Sequence, residues 1–451
     1  MTATDDVMTA LRTWGRQPAG ELVSRLGISR PTLMRAVRAL GTGVVSLGSA
    51  RRTTYAARRA IRGSLVPLPL YLVDAAGTVH EVATVYPTHP AGCAVSFAVD
   101  PGWPLDDAMQ DGWFDGVPYM LDDMRPQGFL GRNFARAHAD VLQVPDDPTA
   151  WGDDDVLHAL SLLGADLPGC FILGEVALRS WLSRRNEITV LGARNQRVQQ
   201  AYVDLAARAM AQGVPDSSAG GEFPKFTAVR TLAGQPAHVL VKFSGSDDSP
   251  GTRRWSDLLV CEHLASRAIR DHLGLNAAES QILHGGGRTF LEVVRFDRHG
   301  MHGRSAVCSW AAINAALTGL GPKPWTVGAQ ALHERGWIDD TVRAQIERLW
   351  HFGRLIGNTD MHDGNLAFRP GLQLAPVYDM LPMMYAPQRG VELPVRKFAP
   401  VPPIPSERAA WHMARTAALA FWDRAASDVR ISEEFRAICA ANAQYLSGVT
   451  G

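Results

Sequence analysis

The chain has 451 residues, 46% hydrophobic and 20% charged, with a formal net charge of zero. That length supports a large buried core and roughly two to four domains, and the composition excludes a disordered chain. Charge is unevenly spread: residues 1–63 hold 11 arginines, no lysine and 3 acids, against 34 basic and 42 acidic residues in the remainder. A basic module on an acidic body predicts an anionic partner for that module alone.

Cys93, Cys170, Cys261, Cys308 and Cys439 form no C-x-x-C pair, which argues against a disulfide framework or a thiolate zinc site and predicts buried thiols. No stretch reaches ~18 uninterrupted apolar residues, and the first residues carry no apolar signal core. Neither membrane spanning nor export is expected, and a cytoplasmic location follows.

In chain order, Val7, Leu11 and Trp14 form the apolar face of a helix over 6–14. A second helix covers 19–26. Gly27-Ile28-Ser29 is a tight turn, and Ser29 caps a third helix over 31–40 with proline at its first position. Leu22, Leu26, Leu33, Val37 and Leu40 are the expected core. Strands at 44–47 and 51–55 flank a turn at Gly48-Ser49, which completes a winged helix-turn-helix over 1–63. In that arrangement Arg30, Thr32, Arg35 and Arg38 project from the recognition helix, and Arg51 and Arg52 sit on the wing, facing double-stranded operator DNA. The competing reading is a protein-interaction module whose arginines are solvated.

Strands are expected at 67–74, 79–85 and 94–99, and helices at 153–163 and 173–185. The turn- and aromatic-rich stretch 113–132 is either an interaction surface built on its acids and Arg125 or a loop tied down by its own aromatics. Residues 64–195 thus form a mixed α+β subdomain with no candidate chemistry.

Residues 212–226 read QGVPDSSAGGEFPKF, followed by a strand at 227–230, a turn at Gly234 and a strand at 238–243 that carries Lys242. A Ser/Gly loop lets backbone N–H groups approach phosphates, and a strand-borne lysine supplies fixed positive charge. The loop is not a G-x-G-x-x-G, so a plain hairpin with a flexible entry competes. A long helix over 254–273 presents Glu262, or failing that Asp257, to the lysine. Strands at 280–283 and 289–295 lead to Val294 and Phe296, where a purine would meet the backbone.

From Ser309 the pattern is mainly helical. Val342, Ile346, Leu349, Phe352 and Ile356 define a helix over 339–356 that runs into Asn358-Thr359-Asp360-Met361-His362-Asp363-Gly364-Asn365. An Asp, an Asn five residues later and a second acid behind an apolar segment, Asp379, have the spacing of a phosphoryl-transfer loop. Asp360 would orient the attacking hydroxyl, and Asn365 and Asp379 would hold Mg2+. His362 falls in the nucleotide-binding set unless it merely orients a neighbouring carboxylate, and Asp363 is expected to be solvated. Helices over 407–421 and 433–446 close the chain.

These motifs, with Ser217-Ser218-Ala219-Gly220-Gly221 and Val294-Arg295-Phe296-Asp297-Arg298, resemble the HipA family of bacterial serine/threonine kinase toxins. The likeness spans residues 64–445. It implies an α+β multidomain fold: a winged helix-turn-helix over 1–63, a mixed α+β N-lobe over 64–295, divided near 195, and a helical C-lobe over 296–451. It also implies ATP and Mg2+ as cofactors, Asp360 as catalytic base, and Asn365 and Asp379 as metal ligands. Lys242, Ser218, Ala219, Gly220, Gly221, Val294, Phe296 and His362 would surround ATP. Ser218, with Ser217 beside it, takes the place of the serine that family members autophosphorylate to silence themselves. The protein substrate would be a translation factor or an aminoacyl-tRNA synthetase, and a homodimer would suit paired DNA half-sites.

Gly364 stands where the family often has lysine, and Val294 where glutamate is common. The fused basic module is similar to the YjjJ-like subgroup and implies that the chain represses its own promoter. Competing readings are a transcription regulator with a nucleotide-sensing, catalytically weak kinase-like domain, a small-molecule kinase, and a metal phosphoesterase built on Asp360, His362 and Asp379.

Overall fold

The computed structural model describes residues 2–48, 52–192, 195–212, 223–388 and 392–449. The chain divides into two compact units, one of residues 1–125 and 139–187 and the other of 126–138 and 188–451.

The first unit opens with helices Ala3–Trp14, Ala19–Leu26 and Arg30–Leu40. The first begins three residues earlier than expected because Thr2 and Asp5 form a capping box. Ser29 caps the third as anticipated, its hydroxyl accepting the Thr32 N–H at 3.3 Å. Strands Val44–Leu47 and Thr54–Ala57 pair antiparallel, and Gln17–Pro18 adds to the second of them. Val7, Leu11, Leu22, Leu33, Ala36 and Tyr55 form the core, with Leu26, Val37 and Leu40 packed partly buried against it.

An antiparallel sheet follows in the order Trp113–Phe114, Cys93–Phe97, Val79–Pro87, Leu68–Val73, Phe171–Leu173. The two outer strands are only two and three residues long, too short to show alternation in sequence. Residues 171–173 therefore pair as a strand ahead of the helix Glu175–Arg184. Position 63/64 lies inside this unit. Val45 and Ala56 of the first hairpin share a core cluster with Ala94 and Trp113, and Arg59 and Arg62 each reach an aspartate, Asp154 and Asp155, at 2.7 Å. Arg125 pairs with Asp122 and with Asp153 at 3.1 Å, so its charge is spent within the fold.

The second unit is built on a five-stranded sheet ordered Ser280–Gly285, Arg288–Val294, Gln235–Phe243, Lys225–Leu232, Val190–Leu191, with its last pair parallel. Side chains alternate across a strand. Val239, Val241 and Phe243 accordingly pack against Val198, Tyr202 and Ala206 of helix Asn195–Gln212, and Lys242 faces the other way, toward helix Pro250–Ala268. We call these the cover helix and the cleft helix. The cover helix is not among the elements expected above, although its apolar residues recur every four positions. The cleft helix ends at Ala268, and residues Ile269–Leu273 form a wider π turn.

Helices Trp325–Glu334, Asp340–Leu355, Arg408–Ser427 and Glu433–Gly448 make up most of the rest. Phe352 and Phe421 meet edge to face at 6.4 Å. The Trp422 indole N–H donates to Leu355 O at 3.0 Å and fixes the point where helix Asp340–Leu355 gives way to the loop 358–365. The turn there requires Gly357, at φ 72°, because a Cβ would lie 2.6 Å from the Met384 sulfur. All five cysteines are buried free thiols. Among the described residues no helix is long and apolar enough to cross a membrane.

Candidate active site

Lys242 is 4% exposed. Its Nζ donates to both Glu262 carboxylate oxygens, at 2.8 and 2.9 Å, and also to Asp379. A strand residue, a helix residue and a residue from the segment after the catalytic loop thus converge on one ammonium. Asp257, the alternative partner, serves another purpose: it accepts the Ser432 N–H at 2.7 Å and the Ser432 hydroxyl at 2.6 Å, tying the cleft helix to the last helix. Burial raises the Asp257 carboxyl's pKa, while the Ser432 bonds oppose that rise.

Asp379 adopts φ 55°, a left-handed backbone that costs a non-glycine residue ~1–2 kcal/mol. Adjacent bonds hold it there. Val377 N donates to Asn276 O and Ala278 N to Val377 O, each at 2.9 Å. The Asn358 amide reaches Asp379 O at 3.4 Å.

Two asparagines knit the loop. Asn358 Oδ1 accepts the Asp360 N–H at 3.0 Å, and Asn365 Nδ2 donates to Asp360 O at 2.8 Å. Asp360 is exposed, whereas Asn358 and Asn365 are buried. A hydrogen-bonded path therefore runs from Asp379 through Asn358 to Asp360 and on to Asn365. Sequence reasoning gave Asn358 no role; its position two residues before the acid was the available signal.

His362 is exposed, and its Nδ1 accepts the Gly364 N–H at 3.1 Å. The Tyr378 hydroxyl donates to Gly364 O at 2.8 Å. Asp363, expected to be solvated, is half-buried and accepts from Asn314 Nδ2 at 2.9 Å. The Asn314 side chain, 4% exposed, needs that partner once it has left water.

At the expected purine end, the Phe296 and Tyr378 rings lie 6.0 Å apart and tilted 30°. The Val294 N–H is spent on Glu279 O at 2.8 Å, and the Arg295 N–H on His238 O at 2.9 Å. Ser217, Ser218, Ala219, Gly220 and Gly221 lie outside the described residues, as does Arg51.

Asn365 and Asp379 offer hard oxygen donors for a divalent cation. Because Asn365 Nδ2 is committed to Asp360 O, its Oδ1 is the atom left for a metal. An amide oxygen and a carboxylate are the donor types that suit magnesium, which completes its octahedron with water and phosphate.

In the first unit Arg30, Arg35 and Arg38 are exposed along one helix. Thr32 is half-buried, its hydroxyl bonded to Ser29 at 2.8 Å and to Arg35 at 3.4 Å. Arg52 faces Asp111 at 3.8 Å.

Residues 217–444 match the family described as the HipA-like C-terminal domain, and residues 65–182 match the YjjJ-like toxin, middle domain. The complex of HipA, HipB and operator DNA from Shewanella oneidensis MR-1 contains a similar fold, with a TM-score of 0.50 at 14% identity over 84% of this chain and 95% of that one. Mixed α+β layers and these matches define a HipA-like protein. Toxin YjjJ of Escherichia coli (strain K12) is 37% identical over 435 residues, covering 96% of this chain and 95% of its own. The chain belongs to the YjjJ-like toxins of the HipA-like family.

Proposed function

We propose that this chain is an ATP-dependent serine/threonine protein kinase whose residues 1–63 bind double-stranded operator DNA. The observation that carries the kinase reading is the buried Lys242 ammonium, held by Glu262 and Asp379 and linked through Asn358 to the Asp360 loop. Glu262 keeps Lys242 extended toward the α and β phosphates. Asp360 takes the proton of the acceptor hydroxyl as that oxygen bonds to the γ-phosphorus, and the bond to the bridging oxygen breaks to release ADP. Asn365 Oδ1 and Asp379 would hold magnesium, which would neutralise phosphate charge when bound with ATP.

Since Val294 has committed its N–H, the purine falls to Phe296 and Tyr378, and His362 meets the nucleotide through Nε2. Phosphorylation of Ser218, or of Ser217, adds about two negative charges near the nucleotide phosphates and inhibits by repulsion. The acceptor is a translation factor or an aminoacyl-tRNA synthetase, on the family resemblance. Arg30, Arg35 and Arg38 contact the DNA, and Thr32 stiffens the helix start instead of reading bases.

The test is purified protein with labelled Mg-ATP, comparing wild type, Asp360→Ala and Ser218→Ala by phosphopeptide mass spectrometry. Wild type incorporates phosphate, Asp360→Ala does not, and Ser218→Ala loses the loop site. A wild type that binds no ATP and transfers no phosphate sinks the reading; promoter binding without transfer would favour a nucleotide-sensing regulator. An Arg35→Ala/Arg38→Ala protein should bind its promoter fragment at least ~10-fold more weakly, with a shallower salt dependence.

A further inference from the structure

A cavity of about 460 Å³ borders the start of the catalytic loop at Gly357, Asn358 and Thr359. Its lining includes His351 and Trp411. The two side chains are 4% and 1% exposed. A space of that size is in the range of ligand-binding pockets.

The walls say what kind of ligand. Arg354 and Lys397 border the cavity; both are exposed and neither has an ion-pair partner among the described residues. Glu407 is the one acid on the walls, and its Oε2 already accepts the Ile404 N–H at 3.3 Å. Apart from Asn358 and Thr359, the other surfaces are mainly apolar, chiefly Phe398 and the prolines of the irregular segment 398–404.

Position decides between a free metabolite and a chain. Asn358 and Thr359 line the cavity, and Asp360 follows them directly. A polypeptide advances ~3.3 Å per residue, so a chain with one side chain in the cavity has its neighbouring residues within reach of the Asp360 carboxylate.

We propose that this cavity is the docking pocket for the acceptor polypeptide and selects an acidic residue beside an apolar one, a few residues from the phosphorylated hydroxyl. The proposal rests on the kinase reading above. Arg354 and Lys397 receive the carboxylate, and Phe398 and the prolines cover the apolar side chain.

The experiment uses the full chain and serine-centred peptides whose flanking positions are acidic, neutral or basic. Binding is measured by fluorescence anisotropy without nucleotide, and phosphate transfer is measured separately with Mg-ATP. Acidic peptides should bind at least ~10-fold more tightly than basic ones, equivalent to ~1.4 kcal/mol. Arg354→Glu/Lys397→Glu should invert that order. Equal binding of acidic and basic peptides, no binding of either, or a charge-reversed protein that still prefers acids overturns the pocket. Selective binding with no phosphate transfer leaves the pocket standing and removes the kinase reading. Transfer that ignores flanking charge does the reverse.

Discussion

Two buried ion clusters lie on opposite faces of one sheet, and they are built to different ends. On the cover-helix face, Glu292 accepts from Arg230 at 2.7 Å, from Gln281 at 2.6 Å and from the Tyr202 hydroxyl. Burial first, and the Glu292 carboxylate second, hold the Tyr202 phenol protonated. The Arg230 and Glu292 side chains are 4% and 1% exposed and Tyr202 is fully buried, which leaves the half-buried Gln281, an uncharged amide, as the member nearest the surface. On the cleft face Lys242 and Glu262 are equally buried, yet the third member, Asp379, is 29% exposed and in a left-handed backbone. A closed cluster can only hold the fold together. An open one keeps a member able to exchange its partner for a ligand.

Removing the centre of the closed cluster should have the largest effect. Glu292→Ala leaves Arg230 charged and dry, and breaking a buried pair costs ~3–5 kcal/mol. Urea unfolding should show that loss, whereas Arg230→Met/Glu292→Leu should recover much of it. A loss confined to phosphate transfer, with the unfolding midpoint unchanged, would erase the distinction between the faces.

The open cluster should respond in the opposite way. Asp379→Asn keeps the Lys242–Glu262 pair, and asparagine tolerates φ 55° well. Its folding stability should stay within ~0.5 kcal/mol of wild type, while phosphate transfer falls ~100- to 1000-fold, or ~2.7–4 kcal/mol of transition-state stabilisation. Loss of folding as large as that of Glu292→Ala would make Asp379 a structural residue.

How much of this was legible in sequence follows the same division. Lys242, Glu262, Asp360, Asn365 and Asp379 were nominated because the chemistry of phosphoryl transfer fixes their types and spacing, and the fold brings Lys242, Glu262 and Asp379 into contact. The closed cluster was not, since an arginine and a glutamate 62 residues apart carry no local pattern that announces a pair. The cover helix had its pattern in Val198, Tyr202 and Ala206, but it lay between segments read for other reasons. Part of the basic charge of residues 1–63 also proved to be intramolecular: Arg59 and Arg62 neutralise Asp154 and Asp155. Composition reports an imbalance without saying which side chains fold back. That leaves fewer arginines, Arg30, Arg35 and Arg38 among them, to meet an outside anion.

Acid should probe the cleft face next. His263 adjoins Glu262 on the cleft helix and shares a 3.0 Å hydrogen bond with Ser280. Burial, with Arg430, Arg267 and Arg270 nearby, lowers its pKa from 6.5 to about 4. A histidine depressed in the folded state binds fewer protons than its unfolded counterpart between those values. Its contribution is therefore fully present above pH 6.5 and is lost as pH falls toward 4. Allowing for partial exposure, the loss is on the order of 1–2 kcal/mol. His263→Gln should flatten the stability profile in that window, and an unchanged slope would assign the acid sensitivity elsewhere.

The smallest effect, at Gly364, tests how adjustable the open face is. A Cβ there would lie 2.9 Å from His362 Cε1 and 3.0 Å from Nδ1. His362 is exposed, and a ring at the free end of a side chain can swing aside. Gly364 does not have a positive φ, so alanine introduces no left-handed strain. Gly364→Ala should alter folding by no more than ~0.5 kcal/mol and leave the ATP KM within about twofold. Gly364→Lys adds the cation that the family resemblance places here, and a charge near the phosphates should lower the ATP KM ~3- to 10-fold, up to ~1.4 kcal/mol. If lysine instead unfolds the loop, the His362 contact is rigid and the cleft face has less freedom than its exposed members suggest. If it lowers the KM without moving the unfolding midpoint, this face can gain a ligand contact without a change in the fold, which the dry Arg230–Glu292 pair cannot do.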